Sequence, residues 1–178
     1  MSRNLPLFLL IACVSDLLTF DVEQDATTEV EGVGAIGIVL DALDFTGFGE
    51  MDVAVEQELE NQGVAEGDVE SVRVTTFTLS TPDGEDLSFI DTFAVNISAP
   101  GLDTVQIAHQ DEFPEGVTTV EMVIDDVDLA PYVVAESMTV ETLADGEAPW
   151  DTTTIDAHIV LIVEATAQAA CKQAKAQQ

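Results

Sequence analysis

Positive charge is almost missing from this sequence. Four lysines and arginines face 35 aspartates and glutamates, for a formal net charge of −31. Arg3, Lys172 and Lys175 lie near the ends, so Arg73 is the lone basic residue of the long middle stretch. A nucleic-acid partner is nearly excluded, because phosphate binding needs clustered Lys and Arg. Electrostatic docking on anionic lipid fails for the same reason. Histidine is scarce as well. His109 and His158 are the only two, and neither sits in a zinc-ligand spacing. No Gly-x-Ser-x-Gly elbow surrounds Ser71, Ser80, Ser88, Ser98 or Ser137. Long apolar runs are lacking too. Residues 5–12 are apolar apart from Pro6, far short of the roughly 20 residues a spanning helix needs.

What is present argues for a folded domain. The chain has 178 residues and 47% hydrophobic content. Its mean hydropathy is +0.24. Disordered chains combine high charge with low hydrophobicity, which is not the balance here. The length suits one domain with a real core. So acidic a surface repels itself, and salt screens that repulsion over about 8 Å at physiological strength. Adaptation to a saline habitat, convergence of carboxylates on a divalent cation, and recognition of a basic partner are the three readings of that charge.

The N-terminus carries the most specific signal. Arg3 precedes the short apolar run, which ends Leu10-Ile11-Ala12-Cys13. One positive charge, a short apolar core, a small residue and a cysteine describe a secretory signal ending at a lipid-attachment site. The tetrad resembles the lipobox of bacterial lipoproteins. That resemblance implies cleavage before Cys13 and several acyl chains, palmitate among them, on the cysteine. One chain alone would anchor only marginally. It divides the sequence into a signal peptide (1–12), a folded domain (13–165) and a flexible, Ala-, Gln- and Lys-rich tail (166–178). The implied partner is a membrane reached through the lipid, in a bacterial cell envelope. Val14 stands where an aspartate would hint at inner-membrane retention, which points to the outer membrane, on its periplasmic or outward side. Lipidation of Cys13 leaves Cys171 without a partner. The other reading is a Cys13–Cys171 disulfide in an oxidising compartment.

Strand-like alternation dominates the remainder. Residues 18–30 read as a first strand. Residues 32–49 are apolar and glycine-dotted, with neither a clean 3.6 nor a clean 2 period. Residues 52–62 are the best helix candidate, with Val55 and Leu59 four apart and Gly63 placed to stop it. Strands follow at 72–79, 89–98, 104–109, 117–124 and 138–143, with one helical turn at 129–134. Pro82-Asp83-Gly84, Ala99-Pro100-Gly101, Phe113-Pro114-Glu115-Gly116 and Asp145-Gly146 mark turns. The last strand is the clearest. Ile155, Ala157, Ile159, Leu161 and Val163 form one face, with Asp156 and His158 on the other. Seven or eight strands at this spacing predict an all-β protein, an antiparallel β-sandwich with one short helix. An immunoglobulin-like layout is the first choice and a jelly roll the second. From about Glu58 to Val163 the chain resembles, in pattern, a group of uncharacterised bacterial β-sandwich lipoproteins. That resemblance supports the fold and adds nothing to mechanism.

Candidate sites are few. Gly32, Gly34 and Gly37 match G-x-G-x-x-G, but no βαβ repeat follows and the charge would repel a pyrophosphate. Ala35, Ile36, Ile38, Val39, Leu40, Leu43, Phe45 and Phe48 of the same segment fit a plug over the sandwich, or an exposed contact patch. Asp125, Asp126 and Asp128 at a strand end, and Asp83, Glu85 and Asp86 in a turn, are the candidate metal ligands. Calcium takes about six to eight oxygens from several directions, and neither triplet follows the EF-hand pattern. The plainer reading is a solvated edge that discourages strand-to-strand pairing. Trp150 is expected to be buried against the sandwich edge, rather than exposed to a sugar or protein. No catalytic residue is assigned, and no cofactor other than calcium. The expected function is a lipid-anchored envelope protein with a non-enzymatic structural or binding role. The alternative is a calcium-dependent adhesion or ligand-binding module, its protein or ligand partner unknown.

Overall fold

The computed structural model describes residues 17–32, 39–40, 51–135 and 137–166, with backbone alone at 39–40, 51–54 and 66. Alternation sets the strands. In the last one, Thr153, Ile155, Ala157, Ile159, Leu161, Val163 and Ala165 are all buried. Thr154, Asp156, His158, Val160, Ile162 and Glu164 stand on the other, partly wetted face. That period of 2 is what a pleated strand with one buried face requires.

Nine strands occur among the described residues. In chain order they are β1 (Leu18–Val30), β2 (Val39–Leu40), β3 (Val69–Ser80), β4 (Ile90–Ser98) and β5 (Val105–Gln110). Then come β6 (Thr119–Glu121), β7 (Val123–Ile124), β8 (Thr139–Glu147) and β9 (Thr153–Ala165). Helix α1 (Met51–Asn61) precedes β3, and the one-turn helix α2 (Ala130–Val133) precedes β8. The strands form two antiparallel sheets, β1-β9-β3-β6 and β2-β8-β4-β5-β7. The protein is an antiparallel β-sandwich.

Strand order distinguishes the two layouts. The pairs β1 with β9, β2 with β8, β3 with β6 and β4 with β5 are nested, like one long hairpin wound into two layers. That is the jelly-roll arrangement. An immunoglobulin-like layout would keep more consecutive strands side by side, and here only β4 and β5 do so within one sheet. The two sheets meet through Phe77 of β3 and Phe93 of β4, edge to face with centroids 6.2 Å apart. Full burial of side chains this size contributes about 1.5–3 kcal/mol each.

Two strands differ from expectation. Residues 117–124 do not form one strand. The chain leaves β3 at β6 and joins β5 at β7, crossing between sheets at buried Met122. Met122 N–H donates to Phe77 O (2.8 Å), and Asp125 N–H donates to Ile107 O (3.0 Å). A strand that switches layers closes a corner of the sandwich. Second, Asp145-Gly146 is no turn but lies within β8. Gly146 is needed there for space. A Cβ on it would sit 2.3 Å from Phe89 O.

Helix α1 ends as its sequence predicts. Gly63 takes φ 65°. Its N–H donates to Glu60 O (3.0 Å), and Val64 N–H reaches back to Leu59 O (2.8 Å). This is a Schellman end, with the accompanying apolar pair Leu59 and Val64 both buried.

Register defines two ends. At one, Leu18 and Val69 both pair with Ala165. At the other, Val30 pairs with Thr153 and Ser80 with Asp156. The segments 81–89, 111–118 and 148–152 connect strands at this second end. The chain enters β1 at the first end.

Candidate functional site

The two acid triplets are spread among separate partners. Asp125 accepts from Gln106 Nε2 (3.1 Å) and lies 3.1 Å from His109 Nδ1. Asp126 forms an ion pair with Arg73. Asp128 accepts the backbone N–H of Val72 (3.0 Å) and of Ala130 (3.1 Å). That carboxylate ties β3 to the start of α2. In the other triplet, Asp86 accepts N–H donors from Ser88 (2.7 Å) and Gly116 (2.6 Å). The Gly116 bond, then the Ser88 bond, hold its carboxyl below the ordinary aspartate range. Asp83 and Glu85 are exposed in the turn beside it. Among the described residues, no three His, Cys, Asp or Glu side chains group so as to hold a metal ion.

Each histidine faces one aspartate. His158 Nδ1 lies 2.7 Å from Asp25 Oδ1, across the β1–β9 pairing on the outer face of that sheet. His109 meets Asp125 on the outer face of the other sheet. Among the described residues, neither histidine bonds a serine hydroxyl. Ser71 instead donates to Glu164 (2.8 Å). Near His109 a cleft of about 260 Å³ is lined by Thr92, Gln106, Leu143 and Asp145, among others. Cys13, Cys171, Gly34 and Gly37 lie outside the described residues, as does the apolar segment apart from the backbone of 39–40.

Trp150 departs from the expectation of burial. It is 69% exposed. Its loop is nonetheless held firmly. Pro149 is buried beside it. Thr153 Oγ1 donates to Asp151 O (3.1 Å). Gly32 N–H donates to Thr152 Oγ1 (3.3 Å), and a Cβ on Gly32 would fall 2.4 Å from the Asp151 carbonyl carbon. On the other side, Glu147 N–H donates to Phe89 O (2.9 Å). Trp150 lines a cleft of about 300 Å³ with Phe89, Asp91, Glu147 and Pro149. An adjoining cleft of about 490 Å³ shares Ser88 and Asp91 and adds Glu112, Pro114 and Glu115. These residues come from the 81–89, 111–118 and 148–152 connections and from the adjoining ends of β4 and β8. Only Trp150, next to Pro149 and Asp151, gave any signal in the sequence, and the acids around it were indistinguishable from the many others.

No family model and no curated protein matches this sequence. Solved structures similar in chain path include two BFDV capsid proteins. One is a decameric BFDV capsid protein, at 10% identity and TM-score 0.40, covering 84% of this chain and 99% of that one. The other is a 60-mer BFDV capsid protein, at 9% identity and TM-score 0.35, covering 85% and 94%. At these scores the likeness carries no argument about function or assembly. Among the described residues, no helix is long and apolar enough to cross a membrane.

Proposed function

We propose that this protein is a lipid-anchored component of a bacterial cell envelope, with a structural or binding role and no catalytic one. The observation that carries the reading is Leu10-Ile11-Ala12-Cys13, five residues ahead of the first residue of β1. A tether that short would hold the sandwich close to the bilayer, with the Trp150 end facing away. The surface chemistry supports the same reading. Arg73 is the only Lys or Arg among the described residues, and Asp126 already engages it. A lipid would therefore supply the grip on the membrane that the acidic surface cannot. The arrangement of the histidines supports a non-enzymatic role. Among the described residues each is directed at a carboxylate rather than at a serine nucleophile, His158 on a strand surface and His109 beside the cleft of about 260 Å³. No specific observation favours the calcium-dependent module, since Asp125, Asp126 and Asp128 are each directed to different partners.

The test is Cys13→Ser in the native host. The variant is expected to lose fatty-acid labelling, to accumulate with residues 1–12 uncleaved, and to show no lipid mass on its N-terminal peptide. A wild-type product of unmodified mass, free of the membrane fraction, would overturn the proposal.

A further inference from the structure

We propose that the paired clefts at the Trp150 end take a basic polypeptide segment, with an arginine side chain laid against the indole. Three observations lead there, none of them dependent on the anchor. The first is a large aromatic left in solvent on a loop pinned from both sides. A rigid exposed indole loses little freedom when a partner covers it, which is the condition for an efficient contact. The second is the state of the surrounding carboxylates. Among the described residues, those of Asp91, Glu112, Glu115 and Glu147 have no hydrogen-bond or ion-pair partner, whereas Asp86, Asp125, Asp126 and Asp128 are committed. The third is adjacency. The two clefts share Ser88 and Asp91 as lining, so they lie side by side between Trp150 and Glu115.

The charge decides the class of occupant. An anion would be repelled by the four acids and by the net charge of −31. A neutral sugar could stack on the indole but would leave those charges uncompensated. A cation gains on both counts, from the face of the indole and from the carboxylates. Arginine suits the site better than lysine. Its planar guanidinium stacks on an aromatic face and still presents a fork of donors to a carboxylate. The adjoining second cleft gives room for further residues of the same segment.

Trp150 is the only tryptophan in the chain, so its fluorescence reports directly on the site. The full chain is titrated with a short arginine–glycine peptide, a glycine-only peptide and the neutral sugar maltotriose. The expected result is a saturable fluorescence change with the arginine peptide alone, weakening as salt is raised. By calorimetry, Trp150→Ala should bind the arginine peptide about tenfold more weakly, the scale of one desolvated cation–π contact. Asp91→Asn with Glu147→Gln should weaken it by a similar factor. Asp21→Asn with Glu23→Gln, which removes equal charge from the outer face of β1, should leave it unchanged. Equal affinity for wild type and Trp150→Ala would mean diffuse attraction to an acidic surface and would overturn the proposal. So would no binding of the arginine peptide, or a preference for maltotriose.

Discussion

The two ends of the sandwich are built in opposite ways. Where the chain enters β1, helices close the barrel-like opening. Val55, Leu59 and Val64 from α1 and its Schellman end are buried there, with Leu129, Tyr132 and Val133 around α2. Several polar groups at this end are joined to one another. Tyr132 Oη donates to Asp103 O (2.8 Å), and Leu129 N–H donates to Val72 O (2.7 Å). Glu58 accepts from Gln62 Nε2 (2.7 Å) and Asn61 Nδ2 (3.1 Å), which lowers its pKa, the Gln62 bond contributing most. At the far end, turns make the described connections between strands, and among the described residues the Trp150 indole and the four carboxylates beside it stand without partners. A fold can leave such groups exposed only where its stability does not need them. The difference separates the part of the molecule that maintains the sandwich from the part free to meet something else.

The largest expected effect tests that separation directly. Leu129→Ala removes a fully buried side chain from the closed end. It should cost about 2–5 kcal/mol, the range for emptying a core leucine site. Trp150→Ala, although it deletes a larger side chain, should stay within about 0.5 kcal/mol, as exposed substitutions do. Urea denaturation of both variants gives the comparison. Similar losses would mean that Trp150 is part of the packing and that the two ends are not distinct.

A smaller effect shows how the open end is held in shape. Gly146→Ala places a methyl 2.3 Å from Phe89 O and 3.0 Å from Ile90 Cα, both backbone atoms that cannot rotate away. The strands must separate locally, at a cost of about 1–3 kcal/mol. The same shift would move Glu147 and Phe89, so the variant should also show altered Trp150 fluorescence. Unchanged stability would mean that the β4–β8 contact is looser than its geometry.

Gly146 also marks the boundary of what the sequence could convey. Asp-Gly is the strongest local turn signal, yet here the glycine answers to a close approach by another strand. Such a need arises from Phe89 and Ile90, far away in the sequence, and leaves no local trace. The break at Met122 is of the same kind. Val120, Met122 and Ile124 alternate like one strand, and only the placement of β3 and β5 divides them between sheets. By contrast, β1, β9 and the end of α1 were legible almost to the residue, because their information is local: a period of 2, or a glycine after a periodic run. The choice of jelly roll over immunoglobulin-like layout was not legible, since pairing order depends on long-range contacts. The candidate site fared worst. Its carboxylates come from the ends of two strands and from one loop, and in a chain with 35 acids no single one stands out.

The smallest effect concerns Asp86, which belongs to the open end but is committed as the acids near Trp150 are not. Its bonds from Gly116 and Ser88 exist only in the folded chain and favour the charged carboxylate, so its pKa is lower folded than unfolded. A group of that sign adds stability in full above its unfolded value and loses it as pH falls through the folded value. Asp86→Asn should therefore lower the melting temperature at neutral pH. The gap from wild type should close as pH drops below the ordinary aspartate value of about 3.9. Protonation also relieves repulsion among the other acids and shifts both proteins together, so the quantity to follow is the difference between them. Asp83→Asn removes the same charge from the same turn, where no bond from Gly116 or Ser88 is at stake, and supplies the baseline. A gap for Asp86→Asn that is no larger than that baseline, or that widens in acid, would place the hold on the 113–117 turn in its backbone bonds instead of this carboxylate.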